Sequence, residues 1–255
     1  LHRDMVNYSQ PLILNNISWW VNGVSNRYII TWFCGIAANG IYSVSYKIPS
    51  ILVMFQGIFS QAWTMSAVQG YDKDDKNGFF TRMYQSYNLC MVLVCSVLIM
   101  LSRVMAKVLY ANDFYNAWKY VPFLLIASVF GALSGYVGGI YAATKDTKIF
   151  AKTSIMGAVT NLLLTFVLVW KVGVMGAAIA SPVSYGLIWY LRIKGINKYM
   201  NMKINLFKDV FGYIILCIQT VLLFIFPDNI LLFILQLLAI VVLLLLNKEL
   251  LSIVI

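Results

Sequence analysis

Charged residues are so widely spaced in this chain that they leave about nine uninterrupted stretches of 18–25 residues. A helix crosses a hydrocarbon core of about 30 Å with about 20 residues, so each stretch is long enough to span a membrane. Only 11% of the residues are charged and 61% are hydrophobic, whereas a soluble domain carries about 25% charged residues. Because helices satisfy their own backbone hydrogen bonds in lipid, the sequence predicts an all-α polytopic membrane helix bundle and excludes a water-soluble domain.

We expect about eight transmembrane helices. The charge-free stretch 28–46 is not counted as a span of its own, because Gly35 interrupts it and the Asn39-Gly40 pair favours a turn. The predicted spans are residues 9–34, 41–68, 82–101, 120–143, 151–170, 174–191, 210–226 and 230–247. Pro49 is expected to bend the second span. The last two spans are almost without polar features, which indicates contact with lipid.

Basic residues are divided unequally between the two sides of these spans. Thirteen Lys and Arg residues, Arg192 among them, lie in the first tail, in the loops after the second, fourth and sixth spans, and at the C-terminus, against four on the opposite side. Because cytoplasmic loops carry an excess of Lys and Arg, we expect both ends of this segment in the cytoplasm. The net charge of +10 therefore reflects topology and not nucleic-acid binding. The linker 192–208 is interpreted either as a patch for a partner or as a loop that meets anionic lipid.

The first two spans each carry a polar face. In the first span, six side chains fall within about 120° of helical arc: Asn15, Ser18, Trp19, Asn22, Ser25 and Asn26. The remaining face is apolar and suits lipid, so the polar face must meet protein or water. The second span repeats the arrangement with Tyr46, Ser50, Gly57, Gln61 and Thr64, and it places Lys47 at the edge.

Two cations, Arg27 and Lys47, stand within these polar spans. Each lies ten residues from Ala37, so an antiparallel pair that turns there holds both at similar depth, about 10–15 Å below the non-cytoplasmic end. An unpaired cation near mid-membrane costs at least about 2.5–3.5 kcal/mol, and every acidic residue lies in a tail, a loop or at a span end. The partner is therefore a carboxylate from outside this chain or an anionic substrate in a wet cavity, unless both side chains snorkel to the interface.

The same inventory argues against an enzyme, a cofactor or a metal site. His2 is the only histidine, and Cys34, Cys90, Cys95 and Cys217 form no CxxC pair. Neither a histidine-based triad nor a metal cluster can be built from such a set. The sequence also lacks a GxxxxGK[ST] phosphate-binding loop and an HExxH motif.

The sequence contains three neighbouring blocks of a recognisable pattern: SWWVNGVSNRYIITWFCG (18–35), NGIYSVSYKIPSIL (39–52) and FSQAWTMSA (59–67). Two further blocks follow: YAATKDTKIFAKTSIMGAVTNLLLTFVLV (141–169) and VGVMGAAIASPVS (172–184). Together they resemble bacterial O-antigen and capsular polysaccharide flippases of the multidrug/oligosaccharidyl-lipid/polysaccharide exporter superfamily. The resemblance runs through residues 8–190.

Members of that family usually have fourteen helices, arranged as two six-helix lobes and a terminal pair. The resemblance implies that this chain holds helices seven to fourteen, with the C-terminal lobe at 1–195 and a terminal two-helix hairpin at 196–255. Because the chain begins with Leu1 and shows no signal peptide, we expect a fragment whose N-terminal lobe is missing. Relatives commonly carry an acidic residue where this chain has Asn26, which argues against carboxylate-based ion coupling there.

The resemblance also implies alternating-access transport of an undecaprenyl-pyrophosphate-linked oligosaccharide, an O-antigen or capsule repeat unit, across the bacterial cytoplasmic (inner) membrane. Membrane lipids and other polysaccharide assembly proteins are further expected partners. In this interpretation Arg27 and Lys47 bind the pyrophosphate. Sugar hydroxyls are bound by neutral side chains: Asn15, Asn22, Asn26, Tyr46 and Gln61. Asn161 resembles a polar position that lines related cavities, although helix packing explains it equally well.

Two other functions are weighed against this one. A cation-coupled multidrug exporter of the same superfamily needs an intramembrane acid for cationic drugs, and the spans offer only cations. A membrane-embedded polysaccharide polymerase or acyltransferase needs a large extracytoplasmic loop or His and Asp residues at the membrane edge, and the sequence has neither. A non-transporting membrane subunit leaves the two polar-faced, cation-bearing helices unexplained.

Overall fold

The computed structural model describes residues 2–144, 147–226, 229–248 and 250, with side chains from residue 10 onward except that of 147. Within these ranges all regular structure is helical. The α-helices are α1 (His2–Cys34), α2 (Ile36–Val44), α3 (Pro49–Gln69), α4 (Phe79–Leu109), α5 (Val121–Ala143), α6 (Thr147–Val172), α7 (Val174–Ile196), α8 (Leu206–Ile225) and α9 (Ile230–Leu246). Two 3₁₀ segments, Ser45–Lys47 and Asn112–Lys119, connect α2 to α3 and α4 to α5. Lys145 and residues 251–255 of the predicted terminal hairpin lie outside the described residues.

Six helices in the described part of the chain, α3 to α8, are long and apolar enough to cross a membrane. The apolar helix α9 has 17 residues, and α1 has 33 residues with a polar face. Seven of the eight predicted spans each fall on one of these helices, and the predicted span 41–68 covers α2, a 3₁₀ segment and α3. The prediction of a polytopic all-α membrane bundle is therefore confirmed.

The first helix ends at Cys34, where the predicted span 9–34 also ends. Gly35 has a φ of 88°, a conformation that glycine adopts without a steric cost, and it separates α1 from α2. The Asn39-Gly40 pair lies inside α2, so the predicted turn at that pair is wrong. The predicted span 41–68 is also not one bent helix. The 3₁₀ segment Ser45–Lys47 interrupts it, and Pro49 begins α3, where its missing N–H is not needed.

Helix α5 lies at the centre of the bundle and packs against α7 and α3. Its approach to α3 depends on Gly139, where a Cβ would lie 2.8 Å from Trp63 Nε1. The Trp63 indole donates to the Tyr136 carbonyl at 2.8 Å and stacks on the Tyr136 ring with centroids 4.1 Å apart. One side chain therefore fixes α3 on α5 through a polar and an aromatic contact.

Helices α6 and α7 follow one another through Gly173 and pack along their length. The backbones of the two helices meet at Gly176, where a Cβ would lie 2.6 Å from the backbone nitrogen of Val169 and closer still to the carbonyl group of Leu168. Backbone atoms cannot rotate away as a flexible side chain can. The α6–α7 pair therefore depends on the absence of a side chain at 176.

The last two helices carry more polar chemistry than the sequence predicts. Gln219 of α8 and Gln236 of α9 donate to each other's backbone carbonyls at 3.4 and 2.9 Å. Ser96 of α4 donates to Gln219 Oε1 at 2.7 Å. Both glutamines are buried, so the expectation of a featureless lipid-facing pair is wrong. The two polar residues are spread over two mostly apolar helices, and only their packing brings them together.

The linker between α7 and α8 is docked on the loop between α3 and α4. The Tyr71 hydroxyl donates to the Tyr199 carbonyl at 2.5 Å, and the Asn201 N–H donates to the Lys73 carbonyl at 2.9 Å. In the same loop, the backbone N–H groups of Lys76 and Asp74 hold the pKa of the exposed Asp72 carboxyl below its ordinary value. The basic linker is therefore held by hydrogen bonds to the neighbouring loop.

We expect Gly176→Ala to lower the stability of the bundle, because the added methyl meets the α6 backbone. Overpacking of a well-packed contact costs about 1–3 kcal/mol. The control is Gly57→Ala within α3, where a Cβ meets nothing within 4 Å and a helix gains about 0.5–1 kcal/mol from the replacement. Thermal unfolding in detergent, followed by tryptophan fluorescence, measures both. A Gly176→Ala transition temperature at or above that of the parent chain would contradict the backbone contact.

Candidate functional site

A groove runs along α5 between α1 and α3. It consists of two successive cavities of about 310 and 260 Å³. The floor is the small-residue face of α5: Ala127, Ser128, Gly131, Gly135, Gly138 and Gly139. Leu12 and Trp19 of α1 form one wall, and Val53, Gln56 and Thr64 of α3 form the other. We call this concave surface the α5 groove.

Of the predicted site residues, Tyr46 lines the α5 groove directly. The Arg27 guanidinium lies over the Tyr46 ring, with its central carbon 5.7 Å from the ring centroid, and both Arg27 and Lys47 are exposed. The structure therefore brings the α1 cation beside the 3₁₀ segment that carries the α3-side cation. Gln61 is exposed on α3 and is not among the groove-lining residues. Gln56, which the sequence did not single out, lines the groove instead.

The polar face of α1 meets protein, because it packs against α6 and α7. Asn26 is the centre of this contact and is 1% exposed. Its amide donates to Tyr42 Oη at 3.3 Å and Ser181 Oγ at 3.1 Å. Its Oδ1 accepts from Asn161 Nδ2 and Thr165 Oγ1, both at 2.9 Å. A carboxylate could not make the two donations, so an amide suits this position.

Asn15, Asn22 and Asn161 are likewise buried between helices. Asn161 also donates to the Asn22 carbonyl at 3.3 Å. Among the described residues, no partner is found for either polar atom of the Asn22 side chain, for Ser25 Oγ or for Asn161 Oδ1. The α1–α6 interface thus holds more hydrogen-bonding capacity than this conformation uses. The structure places these amides behind the α5 groove and not on its surface.

Arg192 lies beside the candidate site but is not among the site residues that the sequence predicts. It was counted as a loop residue after span 174–191, but α7 continues to Ile196 and Arg192 is 0% exposed. Its guanidinium donates to three side chains and two carbonyls: Thr153 Oγ1, Ser154 Oγ, Asn15 Oδ1, Ser134 O and Phe150 O. A cation followed closely by Lys194 at the end of an apolar run is typical of the start of a loop, so the sequence pattern does not indicate that Arg192 is buried.

Arg192 is connected to the α5 groove through two side chains. Its guanidinium carbon lies 4.1 Å from the ring centroid of Phe150, and Phe150 lines the larger cavity. Its partner Asn15 accepts from the Trp19 indole at 3.2 Å, and Trp19 lines the other cavity. Arg192 therefore positions two groove walls without touching the groove itself.

The described residues that line the groove carry no acidic, histidine or cysteine side chain. Across the described part of the chain, no three His, Cys, Asp or Glu residues gather into a metal-binding group. What the groove offers is aromatic rings, amides, hydroxyls and cations at one end, which suits binding of a polar, anionic molecule.

No protein-family profile matches this chain. A probable low-salt glycan biosynthesis flippase of Haloferax volcanii is 19% identical over 205 residues, which cover 79% of this chain and 43% of that protein. The solved structure of the lipid II flippase MurJ in its inward closed conformation superposes with a TM-score of 0.64 at 15% identity. The superposition covers 95% of this chain and 53% of MurJ.

The MATE transporter VcmN of Vibrio cholerae superposes with a TM-score of 0.62 at 16% identity, covering 86% of this chain and 54% of VcmN. These likenesses show that the chain folds like part of a flippase or MATE transporter. The chain spans about half the length of the proteins that it matches. These relatives are transport proteins and not enzymes, in agreement with the sequence argument against catalysis.

We expect Arg192→Ala to destabilise the bundle by about 3 kcal/mol or more, because acceptors on α1, α5 and α6 lose a buried donor. Lys194→Ala, an exposed cation two residues away on the same helix, is the matched control and should change stability by no more than about 0.5 kcal/mol. Thermal unfolding of both variants in the same detergent measures the difference. Equal transition temperatures would show that Arg192 does not hold the four helices together.

Proposed function

We propose that this chain forms one lobe of a transporter that moves a lipid-linked oligosaccharide across the membrane. In this cargo a pyrophosphate joins the oligosaccharide to a polyisoprenyl lipid. The observation that carries the proposal is the α5 groove, which has Arg27 and Lys47 exposed near one end and no acidic side chain among the described residues that line it. A pyrophosphate carries at least two negative charges and binds well to a guanidinium fork beside an ammonium group.

The neutral part of the groove suits the sugar portion of such a substrate. Trp19 and Tyr185 line it and pack edge to face with centroids 5.0 Å apart, which presents flat apolar surfaces for sugar rings. Gln56 and Ser128 supply hydrogen-bonding groups in the same cavity. Among the predicted sugar-binding residues, Tyr46 acts directly at this surface. We propose that Asn15, Asn22, Asn26 and Asn161 act from behind it, by fixing α1.

The names of the relatives support the class of substrate. One similar protein is a probable glycan biosynthesis flippase and another is a lipid II flippase. We propose the finer assignment that the cargo is an undecaprenyl-pyrophosphate-linked O-antigen or capsule repeat unit, and that the membrane is the bacterial cytoplasmic membrane with both ends of this segment inside. Membrane lipids, an N-terminal lobe and other polysaccharide assembly proteins are its proposed partners.

Alternating access needs a second body against which this lobe can rock. The α1 and α3 flanks of the groove bear large exposed apolar side chains, among them Trp20, Trp32, Met54 and Ile58. Such side chains suit contact with lipid or with a facing lobe. The spare hydrogen-bonding groups of Asn22 and Asn161 would let α1 exchange partners on α6 as the groove opens and closes.

A cation-coupled multidrug exporter is the second candidate, and the fold shared with VcmN favours it. A cationic drug needs an acidic residue at its binding surface. The α5 groove has none among its described lining residues, and Asn26 places a neutral amide at the centre of the α1–α6 contact. Charge complementarity therefore favours an anionic cargo.

We expect Arg27→Ala to weaken binding of farnesyl pyrophosphate to the purified chain in nanodiscs by about tenfold, the size of one lost charge-assisted hydrogen bond. Arg27→Lys should lose less because it keeps the charge, and Lys47→Ala should weaken binding to a smaller extent than Arg27→Ala. Uncharged farnesol should bind all variants equally, and Lys171→Ala, an exposed cation at the end of α6, should behave as the parent chain. Calorimetric titration measures each affinity. If both alanine variants bind the pyrophosphate as the parent does, the two cations are interfacial anchors and the proposed site is wrong.

We also expect that residues 1–255 alone do not transport, because one lobe supplies only one wall of an alternating-access cavity. Surface polysaccharide in a flippase-deleted host that expresses only this chain is the measurement, with membrane abundance confirmed by immunoblot. Full restoration of surface polysaccharide would overturn the two-lobe mechanism while leaving the groove's ligand chemistry intact.

A further inference from the structure

A third cavity, of about 250 Å³, lies among α4, α8 and α9, at the end of the bundle where the 197–205 linker enters α8. It shares no lining residue with the α5 groove. The described residues in its walls supply one carboxylate, one ammonium group and four amides: Asp209, Lys208, Gln85, Asn88, Asn205 and Asn247. Its deeper lining is apolar and includes Leu89, Val92 and Leu243. We call it the α8 cavity.

Asp209 is the unusual member of this set. Helix α8 begins at Leu206, and Asp209 lies in its first turn, at the span end where the sequence places it. Among the described residues of α3 to α9, it is the only acidic one inside an α-helix. A carboxylate at that depth needs a donor or a cation as its partner.

Two neutral donors hold the Asp209 carboxylate in place. Tyr84 Oη donates to Oδ2 at 3.1 Å, and Asn88 Nδ2 donates to Oδ1 at 2.8 Å. Tyr84 accepts in turn from the Trp189 indole at 3.2 Å, and Asn88 Oδ1 accepts from Tyr213 Oη at 3.1 Å. The carboxylate is therefore rigidly oriented by a buried aromatic and amide network.

These contacts leave part of the carboxylate's capacity unused. A carboxylate has about four lone-pair sites, and the described hydrogen bonds to Asp209 occupy two of them without bringing a cationic side chain. Its neighbour Lys208 lines the same cavity. The cavity thus presents one negative and one positive group together, above an apolar floor and at a membrane-spanning helix end, where lipid head groups lie.

We infer that the α8 cavity binds the head group of a primary-amine glycerophospholipid such as phosphatidylethanolamine. The ammonium group donates to the free lone pairs of Asp209, and the phosphate lies against Lys208 and Asn205. The first methylene groups of the acyl chains contact Leu89 and Val92. The cavity is far larger than the share of one water, about 30 Å³, and it offers no cation cluster for a purely anionic head group. A choline head group has no N–H to donate, so Asp209 selects the primary amine.

A lipid bound there would join three helices. α4 supplies Gln85 and Asn88, α8 supplies Lys208 and Asp209, and α9 with the residues after it supplies Leu243 and Asn247. The inference concerns a resident lipid and is independent of the cargo proposed for the α5 groove. It also gives a role to the Asp209 carboxylate, which the proposed transport function does not use.

The test is native mass spectrometry of the purified chain after exchange into mixed micelles with equimolar phosphatidylethanolamine and phosphatidylcholine. We expect retention of the ethanolamine lipid over the choline lipid by about tenfold, the size of one charge-assisted hydrogen bond. Stepwise N-methylation of the ethanolamine head group should leave the preference until the last N–H is removed. Asp209→Asn, which keeps the shape of the side chain, should bring the ratio close to one.

Lys208→Gln should lower retention of both lipids and leave their ratio unchanged, because both carry the phosphate. Asp113→Asn and Lys203→Gln, exposed positions outside the cavity, are the matched controls and should behave as the parent chain. Equal retention of the two lipids by the parent chain would overturn the inference. So would an unchanged ratio in Asp209→Asn when gel filtration shows that the variant is folded. Preferential retention of phosphatidylglycerol would likewise overturn it and would indicate an anion site centred on Lys208.

Discussion

A polar side chain inside a membrane bundle must find its partner within the protein, and this constraint determines which helices of the chain touch. Arg192 is the strongest case, since one buried guanidinium on α7 donates to groups on α1, α5 and α6. The Asn26 amide joins α1 to α2, α6 and α7 in the same way. Apolar contact alone gives little preference for one neighbour over another in lipid. These buried polar residues therefore specify the arrangement that places α1 beside α5, α6 and α7, while Trp63 holds α3 on α5.

The periodicity of polar residues predicted the first helix well and the second one less well. The face with Asn15, Asn22 and Asn26 is buried as expected, because a polar arc that wide has no stable place in lipid. What periodicity could not show is whether that face meets a cavity or another helix. That outcome depends on Asn161 and Thr165 of α6, which lie more than a hundred residues away in the sequence. The end of the first span at residue 34 was predicted correctly, but the turn predicted at Asn39-Gly40 was wrong, because an Asn-Gly pair is a good turn signal that a helix can still accommodate.

The charged residues could be counted from the sequence, but the depth of each charged side chain in the helix bundle could not be predicted from it. Arg192 and Asp209 both stand next to an apolar run beside another charged residue, and both were assigned to loops or span ends. In the structure α7 and α8 extend past those boundaries by several residues, which draws one charge into the core and the other into a cavity wall. Arg27 and Lys47, by contrast, stand alone within long apolar stretches, and the structure leaves them exposed beside the groove. Arg192 is buried and Asp209 is half-buried, and only tertiary contacts reveal the surroundings of either charge.

The docking of the 197–205 linker on the loop after α3 has a mechanical consequence. Tyr71 and Lys73 lie just beyond the end of α3 and hold the linker at Tyr199 and Asn201, a few residues before α8 begins. A tilt of α3 that widens or narrows the groove would be transmitted through these hydrogen bonds to the N-terminus of α8. Helices α8 and α9 would then move together with α3. The position of this helix pair, which lies outside the groove, would therefore depend on whether the groove is open.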